Sequence, residues 1–153
     1  MKPSGISITA HGPGGELVGA TTDGRKAGEM LCDGTVSAVQ GKDRNGPTSL
    51  LRSALNVNQD RYQSTLLNMK VHPTALSDDE DKQKLSSLMK TYFEQGGKHI
   101  QFNVVDVDTL RDAKINPEKH KNLIVRVAGY SAYFVQLGDQ IQEDIISRQE
   151  HLV

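Results

Sequence analysis

One glycine interrupts an apolar run near the end of the chain, in the stretch NLIVRVAGYSAYFVQL at residues 122–137. This residue, Gly129, lies between Ala128 and Tyr130. Glycine weakens the interior of a strand, because it has no side chain to pack and loses more backbone entropy on folding. The pattern leaves two explanations open. Gly129 either forms a turn or bulge, or its own Cα atom does chemistry.

Other residues with catalytic potential do not combine into a known motif. The five histidines lack ligand spacing, and one cysteine does not suffice for a zinc site built from local motifs. Residues 41–48, GKDRNGPT, have the glycine spacing of a phosphate-binding loop, but Pro47 stands where the lysine is required. Cys32 is a candidate nucleophile. No base lies near it in sequence, which favours a small, buried structural residue.

The composition fits one domain whose own core is weak. The 153 residues include 18 Lys and Arg against 19 Asp and Glu, which argues against nucleic-acid binding. No window approaches the roughly 18 apolar residues of a membrane span, and a signal peptide is not expected. A single cysteine fits a reducing, cytoplasmic setting. Residues 1–49 contain few large apolar side chains, which is consistent with a part of a larger fold.

In the first half of the chain, turn residues separate a few short elements. GISITA and GELVGA are predicted as short strands, and Asp-Gly and Asn-Gly steps indicate turns within residues 21–49. Pro47 is expected to open a short helix, because proline is tolerated in a first helical turn. A buried strand is predicted at residues 64–72.

The clearest helix follows, with Ser77 as N-cap and Glu80 completing a capping box. Gly96 and Gly97 are expected to end this helix, and residues 99–107 are predicted as the next strand. The strand–helix–strand order predicts a right-handed parallel crossover. The apolar residues of the helix recur at helical spacing and form one stripe: Leu85, Leu88, Met89, Tyr92 and Phe93.

Short elements surround the glycine-interrupted run. Asp108 is expected to cap a short helix, and Pro117 to begin a helical turn. The run itself is predicted as a strand, a glycine break and a second apolar segment. Gly138 or Asp139 is expected to begin a last helix that continues through QEHL. Taken together, these elements indicate an α/β protein.

Two stretches resemble signature segments of glycyl radical enzymes, the pyruvate formate-lyase-like superfamily. Residues 124–137, IVRVAGYSAYFVQL, are similar to the family's radical loop, and residues 19–54 resemble its Asp-Gly-Arg-Lys-Ala-Gly and Asn-Gly-Pro-Thr block. LLNMKVHP, GGKHIQFNVVDVDTLRDA and QEDIISRQE follow in the family's order and spacing. The resemblance therefore covers essentially the whole chain.

The resemblance implies a fold and a division of the chain. We expect the C-terminal part of the ten-stranded α/β barrel of these enzymes, together with the glycyl radical loop. Residues 1–60 would be a glycine-rich, barrel-associated segment, and residues 61–121 a strand–helix–strand unit with short helices. Residues 122–153 would form the radical loop and the last helix.

The resemblance also implies a site. Gly129 would carry a stable radical, formed when an S-adenosylmethionine, iron–sulfur activating enzyme removes one hydrogen atom. Arg126, Val127, Tyr130 and Ser131 would hold the loop and present it, although simple packing explains these four residues equally well. Residues 122–137 are expected to be well packed at rest, so that burial protects Gly129 from oxygen, and to swing out for activation.

The sequence departs from the family in one respect that matters for activity. Complete glycyl radical enzymes pass the radical to a cysteine on an upstream loop, and no such loop occurs here; Cys32 does not match that position. The chain is therefore expected to be inactive alone and to complete a large catalytic subunit or upstream chain, with a homo-oligomer as one form of the assembly. The reaction would belong to the lyases, among decarboxylases, dehydratases and fumarate-adding synthases.

Two alternatives remain open. The chain is either a radical-bearing part of such an enzyme, or a docking module or spare-part protein that binds the activating enzyme or a large subunit without catalysis. An ordinary thiol enzyme that uses Cys32 is a third hypothesis. A radical at Gly129 separates the first from the second.

Overall fold

The computed structural model describes residues 1–5 and 9–152. Within these ranges the chain forms helices and short strands in alternation. The helices are α1 (His11–Glu16), α2 (Pro47–Leu55), α3 (Asp79–Glu94), α4 (Val107–Ile115) and α5 (Asp139–Ser147). The strands are β1 (Asn68–Val71), β2 (Gln101–Val104), β3 (Ile124–Arg126), β4 (Ser131–Tyr133) and β5 (Glu150–His151). None of the helices in these ranges is long and apolar enough to cross a membrane.

Three strands form a parallel sheet in the order β2-β1-β5. Asn68 aligns with Gln101 across β1 and β2, and Val71 aligns with both Val104 and His151. The central strand is buried at all four positions, as expected for a parallel strand that is flanked on both edges and covered on both faces. α3 connects β1 to β2, so the parallel crossover is confirmed, and its right-handedness stays a prediction.

The remaining two strands form an antiparallel hairpin, in which Ile124 pairs with Tyr133 and Arg126 with Ser131. This hairpin rests on an apolar cluster of its own. Buried side chains from β3, α4, α5 and the segments next to β2, β3 and β4 form that cluster: Val105, Leu110, Ala113, Val125, Val127, Phe134, Ile145 and Ile146. A second cluster lies between α2, β1 and α3, so the hairpin and the crossover helix have separate cores.

Two helix starts differ from prediction by one or two residues. The N-cap of α3 is Asp78, whose carboxylate accepts the backbone N–H of Asp81 at 2.8 Å, and not Ser77. The N-cap of α4 is Asp106, which accepts from the backbone N–H of Thr109 at 2.7 Å. Asp108, the predicted cap, lies inside that helix. In α3 the cap lies one residue after the predicted position, and in α4 it lies two residues before it. In both helices an aspartate accepts a free backbone N–H at the positive end of the helix.

The apolar stripe of α3 exists, but only Tyr92 of that stripe is buried. Its hydroxyl accepts a hydrogen bond from Gln59 at 3.0 Å. Leu85, Leu88 and Met89 are half-buried, and 44% of Phe93 is exposed. The helix therefore has an apolar face that the described residues cover only in part.

Other predictions have mixed outcomes. The helix at Pro47 and the turn at Pro117 are confirmed. GELVGA is not a strand, because its first two residues end α1 and residues 17–20 have no regular structure. The last helix stops at Ser147, and residues 150–151 pair with β1 instead of continuing it. Part of GISITA lies outside the described residues.

The cap of α3 gives a stability test. Asp78→Ala removes the side chain that accepts the Asp81 N–H, and we expect a loss of about 1 kcal/mol in the free energy of unfolding. Ser77→Ala is the matched control and should cost much less, because the Ser77 hydroxyl contacts only the Asp81 side chain. Urea denaturation of both variants checks the assignment; equal losses would contradict it.

Candidate functional site

Gly129 lies in a two-residue turn at the tip of the β3–β4 hairpin. The backbone N–H of Val127 donates to the carbonyl of Tyr130 at 2.9 Å and closes the turn around Ala128 and Gly129. The φ angle of Gly129 is +85°, in a region that side-chain-bearing residues rarely adopt. A turn therefore accounts for a glycine at this position on backbone grounds alone.

The expected burial of residues 122–137 holds for only part of the hairpin, since Ile124 and Tyr133 on its strands are exposed. Val125, Val127, Ala128 and Phe134 are buried. Gly129 is exposed. Within the two-residue turn, Ala128 is covered by the protein and Gly129 is not. The described part of this chain therefore does not supply the expected shielding of Gly129, and shielding in an assembled enzyme stays a prediction.

Arg126 and Ser131 are brought together across the hairpin, next to the turn. The Nη1 of Arg126 donates to the Ser131 hydroxyl at 3.0 Å. Its Nε and Nη2 both donate to the side-chain carbonyl of Gln101 on β2, at 3.0 and 2.7 Å. Of the other two predicted support residues, Val127 packs in the core and Tyr130 is exposed. The Arg126 side chain therefore links the two strands to the parallel sheet.

The backbone of β3 is attached to β2 through one amide side chain. Asn103 accepts the N–H of Arg126 at 2.7 Å and donates to the carbonyl of Arg126 at 2.8 Å. This reciprocal pair imitates the backbone pairing of a neighbouring strand. It fixes the height of β3, and with it the turn, relative to the sheet.

A buried arginine from the end of α5 holds the next carbonyls along the chain. The Nη2 of Arg148 donates to the carbonyl of Val127 at 3.0 Å, and its Nη1 lies 3.4 Å from the carbonyl of Arg126. Nη2 also donates to Asp144 at 2.6 Å. Nε lies 2.9 Å from Asp33 as an ion pair, although the N–H is not aligned for a hydrogen bond.

The two carboxylates beside Arg148 have opposite pKa shifts. Burial alone would raise the pKa of Asp144, but hydrogen bonds from His11 and Arg148 outweigh it and lower that pKa. The Nε2 of His11 lies 3.3 Å from Asp144, and Gln40 also donates to it. For Asp33, burial dominates the nearby Arg148 charge and the pKa is raised. Asp144 therefore keeps its negative charge to a lower pH than Asp33 does.

Lys70 is a second buried cation close to this cluster. Its ammonium donates to the carbonyl of Ile146 at 2.9 Å, at the C-terminal end of α5, and lies 3.9 Å from Glu150. Burial lowers the pKa of Lys70 to about 8, against the attraction of Glu150. A cation at this end of a helix also compensates the helix dipole.

The other candidate groups are engaged elsewhere. His151 bonds to Asp43 at 2.8 Å and His120 to Asp112 at 2.7 Å. Among the described residues, no three His, Cys, Asp or Glu side chains converge as a metal site. The thiol of Cys32 donates to the carbonyl of Gly34 at 3.0 Å, and burial raises its pKa, with Asp33 adding to the effect. A thiol with a raised pKa is a poor nucleophile at neutral pH.

Sequence reasoning missed the polar residues behind the hairpin. Two signals were available. Asp144 and Arg148 are four residues apart on one helix, which is the spacing of an ion pair. Gln101 and Asn103 alternate in a strand, and polar residues on one face of a buried strand indicate a polar contact. Asp33 offered no local signal.

Comparison with known proteins adds the decisive observation. The family model described as Glycine radical matches residues 32–135, which include the whole hairpin. This chain belongs to the glycyl radical family. The membership and the α/β class predicted from the sequence are both confirmed.

Individual glycyl radical proteins match nearly the whole chain. Indoleacetate decarboxylase from Tractidigestivibacter scatoligenes is 47% identical over 146 residues, which is 95% of this chain and 17% of that protein. The 4-hydroxyphenylacetate decarboxylase glycyl radical subunit from Clostridioides difficile is 44% identical over 151 residues, 99% of this chain and 17% of that protein. The glycerol-bound B12-independent glycerol dehydratase from Clostridium butyricum matches with a TM-score of 0.93 and 46% identity, over 99% of this chain and 19% of that one.

These matches define the scale of the chain. It spans less than a fifth of the length of the relatives it matches. It corresponds to the glycyl radical part of larger enzymes that have an α/β barrel fold. The parallel sheet β2-β1-β5 and the hairpin are the elements that this part contributes.

Lys70 predicts an alkaline rise in stability. Its pKa is about 8 when folded, against an ordinary 10.5, so between these values the unfolded chain binds more protons. The free energy of unfolding should therefore rise with pH from about 8 to about 10.5, by about 3 kcal/mol from this group. Urea midpoints from pH 7 to 10 test this. Lys70→Met keeps the buried stem and should lack the rise; an equal rise in both proteins would contradict the assignment.

Cys32 predicts slow thiol chemistry. Because burial raises its pKa, alkylation by iodoacetamide should be slower at pH 7–8 than that of a free thiol, and should climb above pH 9. Mass spectrometry of the alkylated chain gives the rate at each pH. A rate that is already at its plateau near neutrality would instead restore the thiol-enzyme interpretation.

Proposed function

We propose that Gly129 stores an organic radical, and that the chain supplies this radical to a glycyl radical lyase. The proposal is supported chiefly by one observation: the family match includes Gly129, which lies exposed in the turn of a hairpin, and hydrogen bonds from Asn103 and Arg148 fix the backbone just before that turn. Storage of a radical requires a fixed backbone and access for hydrogen-atom transfer. The hairpin meets both requirements.

The chemistry favours glycine for reasons beyond the backbone. Removal of one hydrogen atom from Cα leaves one unpaired electron, which delocalises between the amide nitrogen on one side and the carbonyl on the other. A Cβ substituent would hinder the flattening of Cα and crowd the transfer. Radical storage requires glycine at position 129, and the positive φ favours it there as well.

The activating enzyme in this proposal is an S-adenosylmethionine, iron–sulfur protein that takes one hydrogen atom from Gly129. The exposed tip supports direct access by such a partner. Because the chain leaves Gly129 uncovered, its protection from oxygen must come from the large catalytic part. An oxygen-sensitive radical also fits anaerobic metabolism in the cytoplasm.

The neighbouring residues have supporting roles. Arg126 and Ser131 tie the strands together beside the turn and to Gln101 of the sheet. Val127 anchors the hairpin in the core, and Tyr130 follows Gly129 on the exposed side, where a partner can contact it. We assign all four to holding and presenting the radical residue.

Catalysis requires a cysteine outside this chain. The Gly129 radical takes a hydrogen atom from that cysteine, which restores glycine and leaves a thiyl radical to act on substrate. Cys32 is an unsuitable donor, since its thiol is held by Gly34 in a partly buried position. The names of the relatives, two decarboxylases and a dehydratase, support a lyase reaction, with the chain inactive alone. The division at residues 60 and 121 stays a prediction.

Electron paramagnetic resonance under anaerobic conditions tests the proposal. The chain is incubated with a glycyl radical activating enzyme, with and without a candidate large subunit. We expect a doublet signal from a radical that couples to the remaining Cα hydrogen, and cleavage at residue 129 once air is admitted, detected by mass spectrometry. Gly129→Asn should abolish both, although asparagine tolerates a positive φ better than most residues.

A matched variant separates radical loss from loss of the turn. Gly96 also has a positive φ, +98°, with open space where a Cβ would lie. Gly96→Asn therefore makes a similar backbone demand elsewhere and should keep the signal. A silent spectrum from the unmodified chain in every combination, with an activating enzyme proven on another substrate, would refute radical storage and favour the docking or spare-part reading.

A further inference from the structure

The Arg148 cluster, formed by Arg148 with Asp33, Asn68 and Asp144, lies directly behind the turn that carries Gly129. We propose that Arg148 is a positioning residue for this turn: its guanidinium holds the carbonyls of residues 126 and 127 and so determines how readily the hairpin opens. The functional consequence rests on the proposed role of Gly129. The geometric claim does not, because local opening can be measured without any radical.

Arg148 acts on the peptide groups that lead into the turn. Its Nη2 donates to the Val127 carbonyl at 3.0 Å, and its Nη1 lies 3.4 Å from the carbonyl of Arg126. Asn68 adds a longer contact to the same Val127 carbonyl, at 3.4 Å. Val127 also closes the turn through its N–H. Both backbone groups of Val127 are therefore held, and this fixes the position of Ala128 and Gly129, which follow it.

The guanidinium is itself held by two carboxylates from different parts of the chain. Asp144 lies one turn back on α5, whereas Asp33 belongs to the irregular segment before α2. Asn68 on β1 donates to Asp33 at 2.8 Å. The cluster therefore joins the hairpin to α5, to the N-terminal segment and to the sheet, and it does so in a buried site where these bonds are strong.

The geometry requires arginine and not simply a positive charge. The two terminal nitrogens of the guanidinium contact the backbone carbonyls. Nη2 also donates to Asp144, and Nε lies beside Asp33. A lysine ammonium is a single point with three donors, and it does not span these acceptors. Arg148→Lys should therefore keep the charge balance of the cluster while losing its hold on the carbonyls.

Opening of the hairpin must break these bonds or carry Arg148 along. The Asp33 ion pair is the contact that ties the guanidinium to the N-terminal segment. A hairpin released from Arg148 should open more often and hold the exposed Gly129 in a less fixed position, so a radical stored there should be lost faster. This behaviour differs from a general loss of stability, which would loosen all elements together.

Amide hydrogen exchange on the full 153-residue chain tests the proposal. In Arg148→Lys, the amides of Arg126 and Val127 should exchange about 10–100-fold faster, as expected for the loss of charge-assisted hydrogen bonds. The amides of Leu50 in α2 and Gln101 in β2 should change much less. Leu51→Ala is the control: it creates a cavity in the other apolar cluster and should speed exchange around α2 without a selective effect at the hairpin.

A second variant keeps the test sharp if Arg148→Lys is unstable. Asp33→Asn removes one ion-pair partner but leaves the bonds from Arg148 to the carbonyls, so Arg126 and Val127 should keep more protection than in Arg148→Lys. Wild-type protection of these amides in Arg148→Lys would overturn the proposal, as would equal loosening of all elements. If the amides loosen but no variant yields a radical signal, the positioning role stands and the proposed function fails.

Discussion

The hairpin depends on one buried electrostatic arrangement, in which Arg148 lies between Asp33 and Asp144 and spends its remaining donors on backbone carbonyls. Burying three ionised groups is costly unless each is paired and hydrogen-bonded. Here His11, Gln40 and Asn68 supply further contacts to the carboxylates, which makes the cluster tolerable. The cluster is therefore a rigid polar support behind the turn, whereas the apolar core packs against the rest of the hairpin.

The N-terminal segment uses the same device where large apolar residues are scarce. Arg25 is almost fully buried, and it donates hydrogen bonds to four backbone carbonyls, those of Val18, Gly19, Lys26 and Glu29. One guanidinium therefore holds together a loop that has no apolar core of its own. An arginine fork can organise irregular backbone because it offers five donors in a fixed plane. Two buried arginines therefore replace part of the hydrophobic support that the composition lacks.

Features of the fold that depend on residues close together in the sequence could be predicted from local patterns. The crossover helix, the strands beside it and the glycine break all follow from periodicity and turn chemistry, and the structure has them. The cap at Asp78 was misassigned because several acidic and hydroxyl residues compete within one turn. The two-residue strand at Glu150 has no periodic signal and exists only because β1 offers an open edge. The Asp33–Arg148 pair joins residues at opposite ends of the chain, which no local pattern relates. Family resemblance, and not periodicity, pointed to Gly129 as a site.

Under the proposed function, the exposure of Gly129 is one half of a division of roles between this chain and a covering partner. This chain fixes the turn from beneath, through Asn103, Arg148 and the apolar cluster, and leaves its outer side open. α3 likewise retains a half-covered apolar stripe, as expected for an element that shares its packing with parts of a longer enzyme. A radical residue needs two successive environments, one accessible to an activating enzyme and one shielded from oxygen. A turn that is rigid on one side and uncovered on the other can enter both without refolding, because only its covering partner has to change.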